Sequence, residues 1–199
     1  MKIIPFFILL LTVFWQNSHA KVSRVEVTSR AVVLDGEKFG RFGPYELLEG
    51  RVYFNFDPAN PMNRQIVDLD LAPRNEQGLV EASSNFVVLK PVDASPSSGV
   101  ALVEVSNRGG KFTPSYFNRA LSRRMDAGNA GWFGDGLVMR HGMTVIWVGW
   151  QFDVPAEGDN LTLQTPVARK PNGETITGLV RSDWVVDEST RSLKLGHRD

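Results

Sequence analysis

Two apolar runs in this chain each end in a turn whose residue types suit chemistry. Gly99–Gly110 reads GVALVEVSNRGG and Gly142–Pro155 reads GMTVIWVGWQFDVP. Asn107, Arg108, Gly109 and Gly110 follow the first run, where a loop would leave the C-terminal end of a strand. Open α/β sheets build their sites on such loops. A loop of this kind can offer backbone N–H groups to a developing oxyanion, and glycines permit the close approach this needs. One such donor is worth on the order of 10²–10³ in rate. A Gly-Gly pair also makes a plain tight turn, and on spacing alone that is its commoner use. Arg108 either faces a ligand or, more often for a loop arginine, pairs with a carboxylate. Trp132, Phe133 and Trp150, with Trp147, either line an apolar pocket or fill a core. Trp150, which follows Gly149 at the exit of the second run, is the strongest candidate for a pocket wall.

Other chemistry is thinly represented. The chain has no cysteine, which excludes thiolate catalysis, cysteine metal sites and a disulfide framework. It has no G-x-S-x-G, and its three histidines are His19, His141 and His197. None has a serine or acid at a telling spacing, and His141 reads as a structural residue at a helix end. Ser98, Ser106 and Ser115 lack the strand-turn-helix setting of an activated nucleophile. Asp68 and Asp70 stand two apart, as on the solvated face of a strand, and no cluster of ligand types suggests a metal. Asn160-Leu161-Thr162 matches a glycosylation sequon, a triplet common by chance.

The elements that would position these residues fall into two kinds. Val22–Leu34, Arg51–Phe56, Ile66–Leu71 and Phe86–Leu89 are short, often alternating runs bounded by Asp-Gly, Asp-Pro, Pro73 and Pro91. Alternation predicts antiparallel strands with one wet face. Val100–Val105 and Met143–Val148 are nearly continuous in apolar residues and predict strands covered on both faces. Between them Thr113-Pro114 offers an N-cap and a first-turn proline. Phe117, Ala120, Leu121 and Met125 continue as a one-sided helical stripe. Gly128–Gly136 reads as a loop and Leu137–His141 as a short helix. The expectation is a β-loop-α-β unit with a parallel pair. Leu161–Val167, Ile176–Trp184 and Ser192–Leu195 look strand-like, and Ala94–Ser98 reads as a linker-like turn.

The first twenty residues have the form of a signal peptide. Lys2 precedes an apolar stretch, Ile3–Trp15, and Ser18-His19-Ala20 sets small residues before a cleavage point. The stretch is too short for a stable anchor, which needs ~20 apolar residues. Residues 1–20 are therefore expected to be removed, leaving a single domain, 21–199, in the periplasm or outside the cell. Without Lys2 the chain carries 21 basic and 22 acidic residues, a formal charge of −1. That balance gives no footprint for nucleic acid or an anionic membrane.

Several phrases in a fixed order carry a resemblance. VEVTSRAVVLDGEKFGRFGPYELLEGR (Val25–Arg51), Asp57-Pro58-Ala59-Asn60, IVDLDLAPR, VEVSNRGG, WVGWQFDVP and GLVRSDW together resemble a family of exported bacterial alpha/beta-hydrolase domain proteins, from about Val25 to Asp199. The resemblance implies an α/β fold: the N-terminal part of an α/β-hydrolase sheet, antiparallel strands first and then a βαβ unit, incomplete at the C-terminus. It implies a Ser-His-acid ester hydrolase with a small-molecule ester substrate and no cofactor. Only the loop Asn107–Gly110 carries over as an oxyanion loop. The nucleophile elbow and its partners belong to a later part of such proteins, so the expectation is a chain inactive alone. The alternative is a stand-alone, β-rich exported binding domain, taking a small apolar or sugar ligand on a Trp132/Phe133/Trp150 surface.

Overall fold

A computed structural model describes residues 20–95, 97–179 and 184–193. Strands β1 (Ala20–Val32), β2 (Tyr45–Phe56) and β3 (Val80–Pro91) form an antiparallel meander. β2 and β3 pair without interruption from Tyr45↔Pro91 to Phe56↔Val80. The β1–β2 register shifts between Val22 and Arg24 and between Val27 and Ser29. Gly50 lies on that seam: a Cβ there would sit 2.1 Å from Glu26 O and 2.7 Å from Phe86 Cζ. Only glycine lets β1 approach while Phe86 covers the strand.

The chain then forms β4 (Ala101–Val105), three short helices and β5 (Thr144–Val148). The helices are α1 (Thr113–Phe117), α2 (Ala130–Phe133) and α3 (Leu137–Arg140). β5 inserts between β3, to which it is antiparallel, and β4, to which it is parallel. The sheet order is β1-β2-β3-β5-β4, and the two-residue β6 (Leu163–Gln164) pairs with β3.

One face of the sheet carries the core. Tyr45, Leu47, Val87, Leu89, Val145 and Trp147 pack against Phe39, Phe42, Trp132, Phe133, Val138 and Met139. Trp132 meets Phe133 edge-on at 4.8 Å and lies 5.9 Å from Trp147. The buried Tyr45 Oη lies 3.1 Å from both the Met139 and Met143 carbonyls, tying α3 to β2.

The expected α/β architecture is not found. The molecule is an open, mixed sheet of six strands with little helix, and its first three strands are an antiparallel meander rather than the start of an α/β-hydrolase sheet. Three local expectations fail for identifiable reasons. The helix over Thr113–Met125 stops at Phe117, because Asn118 turns inward. Asn118 Oδ1 accepts from Val138 N at 3.0 Å, its carbonyl accepts from Asp135 N, and Arg119 follows at φ 54°. Of the expected stripe, Phe117 and Leu121 are exposed, Ala120 is half-buried, and Met125 packs against the core. Ile66–Leu71 is no strand: Asp68 is left-handed at φ 56° and Leu69–Leu71 makes a 3-10 turn. Val100–Val105 is not covered on both faces: Ala101, Val103 and Val105, which share one face of β4, are exposed, and β4 is also the last strand of the sheet. Leu161–Val167 contributes only the two residues of β6, and 176–179 and 184 are not in a strand. Residues 1–19, 180–183 and 194–199 lie outside the described residues, as do His19, His197 and parts of the leader and tail expectations.

Candidate functional site

The loop after β4 is held from every side. Ser106 is fully buried, and its carbonyl accepts from Trp150 Nε1. Its hydroxyl has no hydrogen-bond partner among the described residues. The Arg108 N–H donates to Gln151 Oε1 at 2.6 Å, and its guanidinium grips Asp153 through Nη1 to Oδ2 (2.5 Å) and Nη2 to the carbonyl (3.0 Å). Arg108 thus takes the carboxylate-pairing role. Gly110 N donates back to Asn107 O. Gly109, at φ 75°, lies flat on Leu161: a Cβ would stand 2.6 Å from Leu161 O, and Leu161 N donates to Gly109 O. The glycine is thus required by a left-handed turn and by backbone packing together.

As an oxyanion donor the loop has limited capacity. The amides of Arg108 and Gly110 are already engaged, leaving Asn107 and Gly109 as those with no acceptor among the described residues. Among the described residues no nucleophile stands ready. Ser98 Oγ donates to Gly142 O, Ser106 is sealed, and His141 is exposed after α3.

Two residues beside the loop carry more electrostatic weight than sequence reasoning gave them. Glu104 points from β4 to cap α1. Its carboxylate accepts from Phe112 N (2.7 Å), Thr113 N (2.7 Å), Thr113 Oγ1 (2.5 Å) and Trp147 Nε1 (2.6 Å). Lys111 has a side chain only 4% exposed, with Nζ 3.3 Å from Asp159 Oδ2. Burial pushes its amine below the ordinary range, while Asp159, Glu49 and Glu104 pull it back. The signal for Glu104 was visible: one acid interrupts an apolar strand ahead of a Thr-Pro helix start. Lys111 gave none, since Asp159 is distant in sequence.

The aromatics divide. Trp132 and Phe133 are each 1% exposed in the core, so they form no ligand surface, and Trp150 alone is half exposed. The open apolar cleft lies elsewhere. A hollow of about 420 Å³ is walled by Phe56, Val67, Leu69, Ala82, Phe152 and Leu163, among others. It forms where the ends of β2 and β3 meet β6 and the turns after Ile66. Reading Ile66–Leu71 as a strand concealed it. A smaller hollow of about 230 Å³ is polar, with Glu49, Arg51, Asn85 and Asp159 in its wall. Its groups are largely engaged: Asn85 bonds Asn160 O and Thr162 N, and Arg51 bonds Gln164.

Asp68 and Asp70 sit in the turns beside the apolar cleft, exposed. Among the described residues no three His, Asp or Glu gather as a metal site, and no helix is long and apolar enough to cross a membrane. Comparison with protein-family models, curated proteins and solved structures finds no match.

Proposed function

We propose that this protein is an exported binding module that takes a small apolar molecule in the cleft beside β6. The observation that carries this reading is the cleft itself: about 420 Å³, with nearly all of its wall apolar. Ligand sites have this size and character, and apolar cavities accept small hydrocarbons without strong polar anchors. A sugar fits less well, because the hydrogen-bonding groups of the polar hollow already serve the protein. Calorimetric titration with 1-hexanol is the test. Saturable one-to-one binding is expected, lost in Ala82→Phe, which fills the cleft, and in Val67→Asp, which places a charge on its exposed wall. A folded protein giving no saturable heat would end this reading.

A second reading, ester hydrolysis, draws support from one observation. The Asn107–Gly110 loop leaves the C-terminal end of a parallel-paired strand with the Asn107 and Gly109 amides uncommitted. Electrostatic stabilisation of an oxyanion needs such donors, but turnover also needs an activated nucleophile. The expected result is no labelling of this chain by a fluorophosphonate serine probe. Stoichiometric labelling would favour the hydrolase over the binding module.

A further inference from the structure

The two edges of the sheet are built differently. β1 carries Lys21, Arg24, Glu26 and Arg30 along its length, and Arg24 pairs with Glu26 at 2.8 Å and stacks over Tyr53. Its register shifts twice. Charges and bulges are the means by which sheet edges resist pairing with other chains. β4, at the opposite end, has neither charge guard nor proline. Its one charged residue, Glu104, is withdrawn into four hydrogen bonds from Phe112, Thr113 and Trp147. Beside the strand runs a groove of about 370 Å³ lined by Val103, Val105, Phe112, Tyr116 and Phe117.

We infer that β4 is a pairing edge and that its occupant is a second copy of this chain, joined through an antiparallel β4–β4 contact about a two-fold axis. The edge is self-complementary. Centred on Val103, the pairing sets Val103 against its counterpart and Ala101 against Val105, with no like charges opposed. The area is sufficient. Tyr116, Phe117 and Phe112 are 78%, 49% and 37% exposed. At about 200 Å² per aromatic side chain, the three rings alone leave roughly 330 Å² open. Val103 and Val105, 58% and 74% exposed, extend the same patch. With them a two-fold pair that covers the whole patch buries at most about 1,000 Å², the lower bound of a specific interface. A modest, concentration-dependent dimer follows, with the sheet continuing across it.

Sedimentation velocity on the full chain over a wide concentration range tests this. The wild type is expected to pass from monomer to dimer, Val103→Lys to remain monomeric, and Val103→Thr, still β-branched and uncharged, to dimerise. Val25→Lys on the β1 edge should leave the dimer intact. Hydrogen exchange provides a readout independent of the variants: β4 amides should gain protection as wild-type concentration rises. A wild type that stays monomeric, exchange that ignores concentration, an open-ended aggregate in place of a dimer, or a dimer abolished by Val25→Lys but not by Val103→Lys would each overturn the inference.

Discussion

At Glu104 a single carboxylate accepts from two backbone amides, a hydroxyl and an indole, joining β4, α1 and β5. Charge-assisted bonds of this kind are the stronger ones, and Glu104→Gln keeps the shape while losing the charge and one acceptor. It should cost about 1–3 kcal/mol by urea unfolding. Gly109→Ala should cost at least as much, since the new Cβ would meet Leu161 backbone at 2.6 Å in a left-handed turn. Lys111 and Tyr45 set opposite slopes in alkaline solution. Burial lowers the folded-state pKa of Lys111 beneath its ordinary 10.5, so the unfolded chain holds that proton more tightly. Stability from this group rises with pH from the lowered value up to about 10.5. Burial raises the Tyr45 phenol above its ordinary 10.0, so its contribution is complete below 10.0 and is lost as pH climbs past it. Urea midpoints measured across the alkaline range should therefore rise and then fall. Lys111→Met should remove the rise and Tyr45→Phe the fall; a flat profile in the wild type would refute both assignments. In the sequence, the Gly-Gly pair announced a turn but not its reason. Leu161, the atom set that forbids a side chain at Gly109, lies some fifty positions away, where spacing has no reach.

Among the elements, the strands of the meander were legible in part, because alternation is a local signal and the meander is built from neighbours; the same signal misled at Ile66–Leu71. Val22–Leu34 overlaps β1 closely, whereas Arg51–Phe56 covers only the second half of β2 and Phe86–Leu89 only part of β3. What failed was governed by partners distant in sequence. The 3.6-residue stripe from Phe117 to Met125 lost to Asn118, whose side chain and carbonyl are worth more to Val138 and Asp135 than one more helical turn. The apolar run of β4 predicts cover on both faces, whereas among the described residues β4 is the last strand of the sheet and one of its faces, Ala101, Val103 and Val105, is exposed. The meander has its own tie. Glu46 on β2, 3% exposed, bonds Arg30 on β1 at 3.0 Å and Lys90 on β3 at 2.6 Å. Arg30 is 63% exposed, so Arg30→Ala alone should cost less than about 1 kcal/mol. Removing Arg30 and Lys90 together strands a buried carboxylate and should cost about 3–5 kcal/mol. A double-mutant cycle that proved additive would show that Glu46 is solvated after all.

Across the whole molecule, the export proposal makes a simple demand. N-terminal sequencing of protein recovered from outside the cytoplasm should read from Lys21, the residue that pairs with Asn55 in the first rungs of β1. Intact Met1 on a cytoplasmic product would refute it. The composition shows a chain without cysteine, held by packing, but it could not give the strand order, because order is decided by contacts between segments far apart in the chain. That order has a consequence for how the chain folds when it is delivered N-terminus first. β4 is made before β5, yet β5 lies between β4 and the rest of the sheet. The meander can close as soon as β3 appears, while β4 must wait for Thr144–Val148 before it has a seat. The wait lasts for the length of chain between Val105 and Thr144. During it, a short run of valine and leucine trails beside a finished hairpin stack with no partner of its own. Birth order and seating order are reversed here, and the interval between them is when this protein most depends on being held apart from its neighbours.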